Sequence, residues 1–161
     1  MKLKLGAFLV AALYGVFLPL SVIAASPQAS LGFGGWQINT GEVDTNWQTG
    51  AFSAPVPVLL TRPGSKIQAS RATGNFKSKQ AVLSGNVRVY DQSGTLTNFA
   101  SNRKPSSLTC DSLQVDGISK IYVATGSVHF TQGSSWANAD RAVMNGNTHD
   151  LHLYGHVSLH Q

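Results

Sequence analysis

The 161-residue chain carries 12 Lys and Arg against 7 Asp and Glu, and it has a single cysteine. One thiol excludes an internal disulfide framework, and the absence of any Lys/Arg run excludes the electrostatic footprint of a nucleic-acid binder. The seven acids, Glu42 and six aspartates, show no paired spacing. With neither a nucleophile elbow nor a phosphate loop present, the chain reads as no enzyme and implies no cofactor.

Lys2 and Lys4 precede an uncharged run over residues 5–25 that contains Pro19 and ends in small residues, with Val22-Ile23-Ala24 and Ile23-Ala24-Ala25 both acceptable as cleavage sites. This is the layout of a secretory signal peptide over residues 1–25, and no cysteine near the site marks a lipoprotein. The competing reading is an uncleaved membrane anchor, because the run is long enough to span a bilayer. Cleavage would leave 136 residues and a net charge of +3, enough chain for one domain burying about two thirds of its unfolded surface. So weak a field fits a partner that bears a few phosphates. Residues 26–50 read as a flexible lead-in and first strands, the flexible part being the small, glycine-rich stretch 26–35.

From residue 51 onward a repeat organises the chain, as residues 51–161. Phe52, Ala54, Val56, Val58 and Leu60 alternate with Ser53, Pro55, Pro57 and Leu59. A clearer copy follows at Ala81, Leu83, Gly85, Val87 and Val89, another at Tyr122, Ala124, Gly126, Val128 and Phe130, and a last at Leu151, Leu153, Gly155, Val157 and Leu159. Period two predicts half-buried strands with these sets facing inward. In the third copy Ile121 and Val123 are apolar too, which predicts cover on both faces there. Val58, Val87, Val128 and Val157 are spaced 29, 41 and 29 apart, and Ser70, Asp111 and Asp140 each lie 17 residues before their valine. The longer interval is a 29-residue unit with 12 extra residues, placed at the polar stretch 97–107. Turn signals such as Pro63-Gly64, Ser93-Gly94, Asp116-Gly117, Gly133-Ser134 and Asn145-Gly146 separate the strands. The mid-strand glycine removes a side chain where a strand bends. The fold class predicted is all-β, at least eight strands in about four 29-residue repeats.

Cys110 aligns with Ala69 and Ala139, so it reads as a small buried apolar side chain. His149, His152, His156 and His160 invite a metal hypothesis, but residues four apart on a strand are separated by about 13 Å. The reading is a solvated strand face and no metal site.

The units Ala69-Ser70-Arg71-Ala72 with Ala81-Val82-Leu83-Ser84-Gly85-Asn86-Val87, and Ala139-Asp140-Arg141-Ala142 with Leu151-His152-Leu153-Tyr154-Gly155-His156-Val157, resemble the OstA-like repeat of the LptA and LptC family of periplasmic lipopolysaccharide transport proteins. Ser70 replaces the usual acid, and the Phe52 unit has prolines in place of the glycine motif. The resemblance implies a V-shaped β-jellyroll, localisation in the periplasm, and an apolar groove that carries lipopolysaccharide or a related lipid between the inner and outer membranes. It also implies edge-to-edge bridge assembly with other Lpt-type proteins, an inner-membrane transporter complex and an outer-membrane translocon, and head-to-tail self-association. On that reading the groove residues are Val58, Leu60, Leu83, Val87, Val89, Tyr122, Val128, Phe130, Leu153, Val157 and Leu159. Weaker phosphate contacts fall to Arg62, Lys66, Arg71, Arg88, Arg103, Lys104 and Arg141. Burying ~5 methylenes is worth about 4 kcal/mol, against about 0 to 1 kcal/mol for an exposed charge pair, so affinity is assigned to the apolar set. Two alternatives stay open: a membrane-anchored LptC-like component of the transporter complex, and a structural or adhesion module whose inward Leu and Val are core without ligand.

Overall fold

A computed structural model describes residues 29–33, 35–94 and 104–161. The leader predicted over residues 1–25 lies outside the described residues, as does Arg103.

The described chain is all-β and antiparallel, a single 13-stranded sheet. Its strands are β1 (Ala29–Phe33), β2 (Trp36–Thr40), β3 (Asp44–Asn46), β4 (Ala51–Ala54), β5 (Val58–Arg62), β6 (Ser65–Ala69), β7 (Arg71–Asn75), β8 (Gln80–Asp91), β9 (Ser106–Asp116), β10 (Ile121–Gln132), β11 (Ser135–Asn145), β12 (Asp150–Tyr154) and β13 (Ser158–His160). The small-residue stretch read as lead-in is therefore strand from Ala29 to Phe33, registered against β2. Phe33, at its end, is buried.

One line crosses every strand path and divides the sheet into two leaves. The first half of β8 pairs with β7 and the second with β6, and the register slips between Ser84 and Val87. In β10 the slip lies between Thr125 and Val128. The corresponding break separates β12 from β13, and Pro55, Val56 and Pro57 separate β4 from β5. Gly85, Gly126 and Gly155 sit on this line with φ near +70 to +80° (78, 78 and 69°), each followed by a second left-handed residue, Asn86, Ser127 or His156. Opposite them stand Ser70, Asp111 and Asp140. A Cβ on Gly126 would collide with the Asp111 carboxylate, and one on Gly155 with that of Asp140, so glycine is required both for its φ and for the close approach. The backbone N–H of Ser70 donates to the Gly85 carbonyl (2.9 Å) and that of Asp140 to the Gly155 carbonyl (3.0 Å). The spacing read from sequence is thus a crease, at which strand halves turn from one leaf into the other.

One leaf comprises β1, β2, β5, β6, β13 and the adjoining halves of β8 to β11; it ends in tight hairpins and is called the hairpin leaf. The other comprises β3, β4, β7, β12 and the remaining halves, and is called the Asx leaf for its turns. Arg62 pairs with Ser65 across Pro63-Gly64, and Gln132 with Ser135 across Gly133-Ser134. Asp91 instead pairs with Ser106, which places 14 residues where the other hairpins have two. The 12-residue insertion therefore lies within residues 92–105, and Ser106 and Ser107, assigned to it from sequence, belong to β9. Buried apolar side chains occupy one face of both leaves while alternate positions are exposed, so the leaves pack face to face around one core. Ile121 is exposed and Val123 only half-buried: the double cover expected there is absent, because the outer face of this strand carries no second layer.

Candidate functional site

The inward residues predicted as a groove all face the core, but most are sealed within it. Val58, Leu60, Leu83, Val87, Val89, Tyr122, Val128 and Phe130 are each 5% exposed or less. At the C-terminal end the same rows come into the open. Leu153 lies opposite the buried Ala142, and Leu159 opposite the buried Ala137, so both share the inner face. Nevertheless Val157 is 46% and Leu159 57% exposed, while Leu151 and Leu153 are half-buried against the core. No described strand lies beyond β12 and β13 to cover them.

The opposite end of the roll is plugged by aromatics. Phe33 of the hairpin leaf meets Phe52 of the Asx leaf edge-on, with ring centroids 6.2 Å apart. Trp36 and Ile38 are buried beside them.

At the mouth, opposite the crease, the interior becomes polar. Arg62, Ser65, Asp91, Ser106, Gln132 and Ser135 form one continuous cross-strand row on the hairpin leaf. All but Arg62 are buried. Asp91 accepts hydrogen bonds from the hydroxyls of Ser65 (2.8 Å) and Ser93 (2.7 Å), and the Gln132 amide donates to the Lys104 carbonyl (3.2 Å). Buried polar groups persist only when so partnered. The alternating sets read from sequence stop at Leu60, Val89 and Phe130. Continuing each by one more step of two lands on Arg62, Asp91 and Gln132, again 29 and 41 residues apart, so the signal was present.

Arg62 closes the mouth. Its guanidinium lies 4.4 Å from the centre of the Trp36 ring and donates to the Tyr122 hydroxyl (3.2 Å) on the other leaf. Of the remaining cations predicted for phosphate contact, Lys66 lies against the Tyr90 ring and Arg141 against that of Tyr154. Arg71 and Arg88 are exposed on the outer face near the crease, and Lys104 packs at Gly133 beside the insertion. They are dispersed rather than convergent.

The Asx leaf ends in four equivalent turns. Asn46, Asn75, Asp116 and Asn145 each accept two backbone N–H bonds through Oδ1, from the residues two and three ahead. Their spacing is 29, 41 and 29. For Asp116 the N–H of Ser119, with that of Ile118 and the Gln80 amide, holds the carboxyl below its ordinary range against slight desolvation. The turns are also bonded to one another: the N–H groups of Phe76, Gly117 and Gly146 donate to the carbonyls of Gly50, Lys79 and Lys120 at 2.7 to 2.9 Å. This ladder fixes the positions of Lys79 and Lys120, and within the last turn the His149 N–H donates to the Asn145 carbonyl (2.7 Å); all three residues are left-handed.

The C-terminal histidines occupy separate environments. His156 meets the Asp140 carboxylate at 2.8 Å, His160 stacks on Trp136, His152 is exposed, and His149 lies in the last Asx turn. Cys110 is buried on the inner face, where burial, then the charge of Asp111, pushes the thiol from 9.0 up to about 12.

Residues 22–92 match the sequence model of the family described as lipopolysaccharide-assembly, LptC-related. No curated protein matches the chain by sequence. Among solved structures, the chain is similar to LptH, described as the LptA homologous periplasmic component of the conserved lipopolysaccharide transport device from Pseudomonas aeruginosa. The TM-score is 0.67 at 8% identity, covering 78% of this chain and 94% of that one. The structural likeness shows a shared all-β fold.

Proposed function

Taking the chain as an OstA-like member of the LptA and LptC family, we propose that it is a periplasmic transport module that binds lipopolysaccharide by its acyl chains. The observation that carries this reading is the inner face at the C-terminal end. Leu151, Leu153 and Leu159 continue the core rows, Leu151 and Leu153 are only half-buried, and Leu159 with the neighbouring Val157 is left exposed among the described residues, which is a ready surface for apolar chains. Sheltering ~5 methylenes there would contribute about 4 kcal/mol. Lipid held along the sealed part of the interior would require the two leaves to part, so Val128 and Phe130 are contacts of an opened state and Leu159 of the resting one. A polar row at the mouth beside an apolar interior suits an amphiphile. The free edges at β12 and β13 suit strand addition by a partner of the same fold, giving a bridge.

A photo-crosslinking residue placed at Leu159 tests the reading in cells. An adduct with lipopolysaccharide at Leu159, absent from the outward His152, is expected. Equal labelling at both positions would count against binding by the inner face.

A second reading is favoured by one observation: the family match is to LptC-related proteins and begins at residue 22, inside the predicted leader. On it the chain keeps its leader as an anchor and serves beside the inner-membrane transporter. Amino-terminal sequencing of the protein from cells separates the two, since a start at residue 25 or 26 excludes the anchor.

A further inference from the structure

We propose that the mouth of the roll holds a phosphate site formed by Arg62, Lys120, Tyr122 and His149. A cavity of about 250 Å³ opens there between the hairpin tip of one leaf and the Asx turns of the other. Two of its walls are cationic and come from opposite leaves, Arg62 from β5 and Lys120 from the turn before β10. Neither is mobile at its base. Arg62 is stacked on Trp36, and Lys120 sits in the ladder of turns, its carbonyl accepting the Gly146 N–H (2.8 Å).

The donors point to an oxyanion. The Tyr122 hydroxyl accepts from Arg62 Nη1 at 3.2 Å, which leaves its own proton free to donate. His149 lines the cavity as well, with its Nδ1 turned away from the open space, buried and without a hydrogen-bond partner among the described residues. Ser65 and Ser93 also line the cavity, but they give their protons to Asp91. Those bonds engage the Asp91 carboxylate, and Arg62, Lys120, Tyr122 and His149 are the other polar residues that line the space. No acid lines the cavity. A guanidinium fork with an ammonium, a phenol and an imidazole around a small volume is the chemistry of a phosphate monoester. Neither charge pattern nor repeat spacing singles out Lys120 and His149, because the turns place them.

The lipid-transport reading supplies one source for that phosphate, a lipid headgroup held at the mouth while its chains lie inside; free phosphate is the other. The site itself does not rest on that reading. Histidine side-chain NMR of the purified chain titrated with inorganic phosphate reads the site directly, with the outward His152 as internal control. In parallel, affinity is measured for lipopolysaccharide in micelles, intact and after enzymatic removal of its phosphates, using the native chain, Arg62→Gln, Lys120→Gln and the outlying control Lys79→Gln.

The expected result is a shift at His149 with phosphate and affinity for intact lipid about tenfold above that for dephosphorylated lipid, a charge-assisted bond being worth about that factor. Either Arg62→Gln or Lys120→Gln should abolish the difference, and Lys79→Gln should keep it. Because Arg62 also braces Trp36, Lys120→Gln carries the test if the other variant unfolds. A His149 shift without lipid binding would uphold the site with free phosphate as its source, and would sink the transport reading. Lipid binding insensitive to phosphate removal and to both substitutions, with His149 unmoved by phosphate, would overturn the site and leave the transport reading standing.

Discussion

The two ends of the roll belong to one sheet and are finished differently. At the N-terminal end, β1 to β4 bring Phe33, Trp36, Ile38 and Phe52 together across both leaves, all buried. At the C-terminal end the last unit supplies leucines that lie opposite buried inner-face residues, and Leu159 with the neighbouring Val157 stays exposed. The difference teaches that inward orientation does not fix burial. A strand in this sheet is covered only if the facing leaf extends over it, and the facing leaf runs out at the C-terminal edge. One end is therefore closed by packing and the other is left uncovered among the described residues.

Truncation at the plugged end should have the largest effect. Phe52→Ala removes a buried ring that bridges the leaves and should cost about 3–5 kcal/mol of unfolding free energy, measured by denaturant titration. A loss under about 1 kcal/mol would mean that the end is not closed as described.

The crease predicts a graded effect along the same axis. Gly126→Ala meets the Asp111 carboxylate in the middle of the sheet, adding overpacking to a left-handed penalty of about 1–2 kcal/mol. Gly155→Ala faces Asp140 at the open edge, where that side chain is 61% exposed and can swing away at the loss of only its exposed contact with His156. It should cost roughly the backbone penalty alone. Equal losses at both glycines, by thermal or chemical denaturation, would show the two ends to be equally constrained.

Cys110 reports on the sealed interior between the ends. Its thiol is raised to about 12, chiefly by burial. An unfolded chain ionises its thiol near 9.0 whereas the folded one holds its proton, so the unfolded state binds fewer protons in that window. Stability should therefore fall as pH rises from about 9 toward 12. The Cys110→Ala variant should lack this component of the pH dependence. In the native protein at neutral pH, alkylation of Cys110 should proceed only through opening of the leaves, and faster labelling on adding lipid would identify lipid entry with that opening.

Much of this was legible in the chain. The alternation at Ala81–Val89 and Tyr122–Phe130 gave strands and inner faces, and the 29 and 41 spacings gave equivalent units. The positions of Ser70, Asp111 and Asp140 relative to the glycines marked the crease, although their role as its opposite wall needed coordinates. Of the Asx turns, those at Asp116-Gly117 and Asn145-Gly146 read as turns from the sequence, while those at Asn46 and Asn75 were missed because Trp47 and Phe76 stand where the other two have glycine. The polar row escaped because alternation was followed only while it remained apolar. Exposure of Val157 and Leu159 could not be read at all, since nothing local tells a strand whether another leaf will cover it. For the same reason the pocket at the mouth, whose walls come from turns 58 residues apart in sequence at Arg62 and Lys120, is a property of the fold alone.

The open end carries the smallest stability effect and the most discriminating one. Leu159→Ser leaves a side chain that is already largely in water, so unfolding free energy should change by no more than about 0.5 kcal/mol. The same substitution at Phe130, where the ring is fully buried, should cost several times more. If the inner face at the C-terminal edge binds acyl chains, Leu159→Ser should still weaken lipopolysaccharide binding, because about three methylene equivalents at about 0.8 kcal/mol each are lost from the lipid contact. Stability and affinity would then separate at this one position, which neither a core residue nor an inert edge can do. Unchanged affinity in Leu159→Ser, with normal folding, would reduce the exposed leucine to an unfinished edge and move the lipid contact elsewhere.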